Sequence, residues 1–99
     1  MGKPARIVAV EHLGGRSLRL SFDDGVVRDL DFEPMLHGGS LDQLRDVEIF
    51  AQAYLDEVAG TVAWPEGFDF DPDVLHGDFQ PATGPGPTVL AERHLRPTR

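Results

Sequence analysis

Apolar residues alternate with polar ones early in the chain, and that period of two predicts strands. Ile7 to Leu13 is rich in β-branched residues and ends at Gly14-Gly15, which marks a first strand. Leu18, Leu20 and Phe22 then alternate with Arg19 and Ser21, the signature of a half-buried second strand. Asp23-Asp24-Gly25 makes a turn, and Val26 to Phe32 returns as a third strand. A two-residue loop would set Leu20 against Asp29. A three-residue loop with Gly25 in the left-handed position instead pairs Phe22 with Val26 and Leu18 with Leu30, and it sets Arg19 across from Asp29 on the other face. The three-residue loop is therefore expected. Arg28 opposite Leu20 is the pair that does not fit, and no comparable argument fixes the register of the first strand.

After Phe32 the period changes. Pro34 suits the first position of a short helical turn, which Gly38-Gly39 would stop. Ser40 followed by Gln43 reads as a capping box for a helix starting at Leu41. Two continuations compete. Leu41, Leu44, Val47, Ala51, Tyr54, Leu55 and Val58 can share one face of a helix ending at Gly60, and periodicity slightly favours this reading. Alternatively the helix stops near Arg45, Ala51 to Asp56 is a strand, and Thr61 to Trp64 is another. Trp64-Pro65-Glu66-Gly67 is a turn by composition. Asp71 is a good N-cap with Pro72 at the first helical position, so a short helix should run through Leu75 and stop at Gly77. Pro81, Gly84, Pro85, Gly86 and Pro87 then read as a linker. Residues 1–77 are thus expected to form a single α+β domain. Residues 78–99 are expected to be a Pro/Gly-rich linker and tail, with a short helix over Thr88 to Arg96.

Ninety-nine residues fit one domain. Seventeen acidic residues against nine basic ones leave a net charge of -8. That balance speaks against direct nucleic-acid binding and against anchoring on anionic lipid, both of which need clustered cations. No apolar run approaches the roughly 18 residues that span a bilayer, and the first six residues lack the apolar stretch of a signal peptide. Without cysteine there is no disulfide, thiolate nucleophile or zinc–sulfur site, and a cytoplasmic location is expected. The charge is also unevenly distributed. From Asp29 to Asp73 there are twelve acidic residues and one basic one, Arg45. Such a stretch gives a folded domain an acidic face, which either keeps the protein in solution or docks a basic partner by steering its approach.

The residues that might carry chemistry are few. Asp69, Asp71 and Asp73 have the spacing of the first three ligands of a calcium-binding EF-hand loop, but the sixth position is Val74 and the twelfth Gln80, where glycine and glutamate are needed. Asp71 as a helix cap, with Asp69 and Asp73 adding charge near the helix start, explains the motif. His12, His37, His76 and His94 show no metal-ligand spacing; His76 falls in the last turn of its helix, where a cation is favoured. Neither Ser17 nor Ser40 sits in a nucleophile elbow. Gly84-Pro85-Gly86 follows no strand, and its proline removes a donor that a phosphate cradle would need. Trp64, Phe68 and Phe70 are expected in the core rather than on a stacking surface. The sequence therefore calls for no catalytic residue, no cofactor and no metal.

A resemblance adds to this reading. Ile7 to Val10, Leu18-x-Leu20-x-Phe22-Asp23-Asp24-Gly25, Leu30-Asp31, Leu44 and Phe50, and above all Gly60 to Leu75 with its Trp64-Pro65-Glu66-Gly67 turn and Asp71-Pro72 helix start, resemble the bacterial domain-of-unknown-function family 2442 over about residues 5–76. The resemblance implies a small α+β domain: an antiparallel sheet of about five strands with two or three short helices. It favours a short helix followed by a strand near Ala51 to Asp56. It carries over no activity, cofactor or catalytic residue. Members of that family occur fused to a DNA-binding helix-turn-helix or encoded beside another small protein, an arrangement that resembles toxin–antitoxin or regulatory pairs. This chain departs from the pattern at His76, where an aromatic residue is expected, and after Gly77. The expected function is binding of another small, basic protein, as the acidic member of a bacterial two-gene module. Asp42, Asp46, Glu48, Asp69 and Asp73 are the expected partner-binding residues. The alternative is an enzyme or small-ligand domain using an acidic cleft around Asp69, Asp71 and Asp73. The sequence does not address the oligomeric state.

Overall fold

A computed structural model describes residues 4–81 and 84–95. Three consecutive strands, β1 (Ile7–Gly14), β2 (Ser17–Phe22) and β3 (Val26–Asp31), form an antiparallel meander. The register is the one that the facing pairs predict: Leu18 lies opposite Leu30 and Arg19 opposite Asp29. One face of the meander buries Ile7, Leu18, Leu20, Phe22 and Leu30. On the other, Arg19 donates two hydrogen bonds to Asp29, Nε to Oδ1 at 2.8 Å and Nη2 to Oδ2 at 3.0 Å. Gly25 turns the chain at a φ of 92°, where any side chain would be strained and a Cβ would run into the Leu95 carbonyl.

The segment 39–60 follows the second of the two competing readings, with a correction. Gly39–Arg45 is a 3₁₀ helix, Val47–Phe50 a single turn of helix (α1), and Tyr54–Asp56 a strand (β4) that pairs with β5, Thr61–Ala63. No long helix forms. The physical reason is Phe50, which lies off the face that the helical period selects. Burying it completely leaves Val47, Tyr54 and Val58 exposed instead. Ser40 does not cap: it lies inside the 3₁₀ helix, and Asp46 caps α1 by accepting from the Glu48 amide. The two sheets meet over an aromatic cluster. Trp64 is 1 % exposed, lies against Phe50 and Phe32 with ring centroids 5.4 and 6.3 Å away, and donates its indole N–H to the Phe50 carbonyl at 2.9 Å. Phe70 stands edge-on to the indole and completes this cluster from the partly buried layer. The architecture is accordingly small α+β, with a four-stranded and a two-stranded sheet.

The chain then turns at Trp64–Gly67, where the Gly67 amide returns to the Trp64 carbonyl. Asp71 caps the short helix α2 (Pro72–His76), and Gly77 ends it in the left-handed conformation. Beyond it comes a second correction. Thr88–His94 is not helical; it is a strand, β6, lying antiparallel to β3 and completing the sheet in the order β1-β2-β3-β6. β3 would otherwise end the sheet with a row of unpaired amides and carbonyls, and backbone pairing outweighs a helix too short to stand alone. Every residue of β6 is exposed, so the strand adds hydrogen bonds and no core. Arg96, the last residue of the expected helix, lies outside the described residues. Among those described, no helix is long and apolar enough to cross a membrane.

Candidate functional site

The five acidic residues expected to bind a partner do not form one cluster. Asp42 lies in the 3₁₀ helix and accepts from the Gly38 amide at 2.8 Å. Asp46 and Glu48 stand at the start of α1, where Asp46 is the cap and Glu48 is exposed. Asp69 pairs through its backbone with Ala63, leaving its carboxylate exposed. Asp73 is drawn away from the others, because its Oδ1 accepts from the Ala5 amide at 2.7 Å. The EF-hand-like triplet is thus divided among three tasks: a bridge at Asp69, a cap at Asp71 and a tether at Asp73. Among the described residues no group of three or more His, Asp or Glu is placed to hold a metal ion.

What these carboxylates share, among the described residues, is that no cation pairs with them. The ion pairs of the described residues join Arg16 to Glu33, Arg19 to Glu11 and Asp29, Arg28 to Glu92, and histidines to nearby carboxylates. None of them involves a carboxylate between Asp42 and Asp73. Several of these groups accept backbone hydrogen bonds instead, which fixes them in place without supplying a cation.

Beside the acidic stretch runs an open groove of about 570 Å³. Met35, Leu41, Phe70 and Val74 supply apolar walls, and Asp69, Asp71 and His37 supply polar ones. The His37 ring nitrogen lies 3.1 Å from the Glu33 carboxylate, which occupies its one ion-pair contact among the described residues. Of the five expected residues only Asp69 lines this groove. Asp42 adjoins it through Gly38 and Leu41.

Two further arrangements escape a reading of the sequence. Arg28, misplaced on an apolar face by its register, has a side chain only 14 % exposed. Its Nη1 donates to the Leu75 carbonyl at 3.0 Å, capping the end of α2, and its Nε donates to Glu92 on β6 at 2.6 Å. A Cβ on Gly77 would approach the same guanidinium within 2.8 Å. His76 lies edge-on to Phe22, with ring centroids 4.7 Å apart, and so fills the place of an aromatic residue. Its Nε2 lies 2.8 Å from Asp24 in the β2–β3 turn, and its Nδ1 lies 3.0 Å from Asp78. Burial pulls its pKa down, but the hydrogen bonds and charges of Asp24 and Asp78 outweigh burial and hold it above the ordinary value of 6.5. Burial likewise pushes Asp24 up, and the Val26 amide together with His76 more than reverses it. The available signals were weak ones: a cation at an inward position, and a histidine at an aromatic's place. His12 and His94 bond locally, to the Gly15 carbonyl and to Glu92.

In chemical terms the surface can hold an apolar group and attract a cation. A family model described as a protein of unknown function, DUF2442, matches residues 7–80. No curated protein and no protein of solved structure matches the chain.

Proposed function

The chain belongs to the DUF2442 family of proteins of unknown function, and from that premise we propose that it acts by binding another protein. In this reading it is the acidic member of a bacterial two-gene module, toxin–antitoxin-like or regulatory, and works in the cytoplasm. The observation that carries the reading is the acidic stretch from Asp42 to Asp73, which is unpaired among the described residues. A protein that needed these carboxylates only for its own fold would gain from pairing them, as it does with Arg19 and Asp29. Left unpaired, they form a field that speeds and orients the approach of a basic partner.

Binding kinetics with the neighbouring gene product test this directly. The association rate should fall steeply between low and physiological salt, while dissociation changes less. Neutralising Asp42, Asp46 and Glu48 together should reproduce the loss at low salt. Association that ignores both salt and neutralisation would reduce the acidic face to a solubilising surface. The groove supports a second reading, a small-ligand or enzymatic site in which Asp69 and Asp71 face the ligand. Metabolite binding, or turnover of a substrate, that disappears in Asp69→Asn without any protein partner would favour it.

A further inference from the structure

We propose that the groove between the 3₁₀ helix and α2 receives an extended peptide of the partner, in which a large aliphatic side chain stands beside arginine or lysine. This rests on the protein-binding reading above and adds to it the chemistry of the bound segment. The argument begins with the walls. Met35, Leu41, Phe70 and Val74 come from three separate stretches of chain and remain only partly buried, and the first three pack against the core from outside. They are therefore held in place without being used up, which is what a preformed apolar site requires. At about 570 Å³ the groove has the volume of a ligand site, and it opens to solvent, so a chain segment can enter it from the surface.

Charge selects the occupant. Asp69 makes no side-chain hydrogen bond or ion pair among the described residues, and Asp71 spends one oxygen on the Asp73 amide. The lining histidine, His37, is matched by Glu33. The groove therefore presents negative charge above an apolar floor, on a chain whose net charge is -8. A peptide with acidic residues would be repelled and a purely polar basic one would leave the floor empty. A basic and aliphatic segment satisfies both.

Three acetylated and amidated pentapeptides decide the matter by titration against the isotope-labelled protein in NMR: Arg-Leu-Arg-Leu-Arg, Arg-Ser-Arg-Ser-Arg and Glu-Leu-Glu-Leu-Glu. The first should shift the amides of Met35, Leu41, Phe70 and Val74 and bind at least about tenfold more tightly than the other two. Asp69→Asn should weaken it by roughly twofold to fivefold, in keeping with one exposed charge pair. Glu11→Gln, an exposed charge on β1 that lies outside both the groove and the acidic stretch, should leave it unchanged. If the serine peptide binds as well as the leucine peptide, with shifts at Asp42, Asp46 and Glu48, the groove is not the site, although docking by charge stands. If no peptide binds, the groove proposal fails, while the salt dependence of the natural partner still decides the broader reading. An unchanged affinity in Asp69→Asn overturns the cationic half of the proposal.

Discussion

Trp64 shows how one side chain can secure two layers. Its indole is buried between the sheets, and its N–H occupies the Phe50 carbonyl at the end of α1, so the same residue packs the core and fixes the helix that precedes β4. Trp64→Ala removes both and should cost about 3–5 kcal/mol, much of the stability of a domain this size. Chemical denaturation measures it, and an unchanged midpoint would show that the indole is not an anchor. Arg28 secures a different junction. Its guanidinium joins β3 to the Leu75 carbonyl of α2 and to β6, and lies against Gly77. Arg28→Met keeps the stem and strands two acceptors, which predicts a loss of about 1–3 kcal/mol. Glu92→Gln should cost less, and the two changes together should fall short of their sum, because they break one shared interaction. Additive losses in a double-mutant cycle would mean that Arg28 acts through Leu75 alone.

Among the elements, those set by neighbours in sequence were the legible ones. The meander's register followed from which pairs could face each other, and α2 from a cap, a proline and a glycine at fixed spacing. The segment 39–60 was ambiguous because its helical period is real; what overrides it is the burial of Phe50 against Phe32 and Trp64, partners distant in sequence. β6 was misread for a related reason: a strand that buries none of its side chains leaves no alternation to detect, and only the open edge of β3 specifies it. The groove is equally hidden, since its walls come from stretches that the sequence keeps apart, although the sequence does single out Asp69 and Asp71. The His76 junction offers a test at this scale. Its raised pKa means that its stabilising effect is full below about pH 6.5, the unfolded value, and is lost as pH rises through the folded one. Asp24, held low, contributes above its ordinary 3.8 and loses its effect as pH falls through the folded value. The tie between the β2–β3 turn and α2 should therefore be strongest between about pH 4 and 6.5. His76→Phe keeps the edge contact with Phe22 and removes the ionisable group. Thermal melts across pH 4 to 8 should show a decline above 6.5 in the wild type that is reduced in the variant; parallel curves would exclude His76 as its source.

The whole molecule carries a charge that its fold does not balance. With a net charge of -8, and with the Asp42–Asp73 carboxylates unpaired among the described residues, compaction brings like charges together at a cost that unfolding relieves. Salt screens such repulsion over about 8–10 Å near physiological strength, so the melting temperature should rise as sodium chloride goes from ~0.01 to ~0.15 M. The ion pairs around Arg19 and Arg16 oppose this trend, since salt weakens them too, but they are few and partly exposed. Which contribution dominates can be separated by substitution. Asp42→Asn, Asp46→Asn and Glu48→Gln together remove three charges while asparagine at 42 and 46 can still accept the Gly38 and Glu48 amides, so the helix start survives the change. The triple variant should match or exceed the wild type in stability at low salt and respond less to added salt. It should also bind a basic partner more slowly, which would identify the acidic face as a stability cost retained for association. A wild type whose melting temperature falls with salt, or a triple variant less stable than the wild type at low salt, would show that these carboxylates serve the fold itself and would leave no such cost for binding to explain.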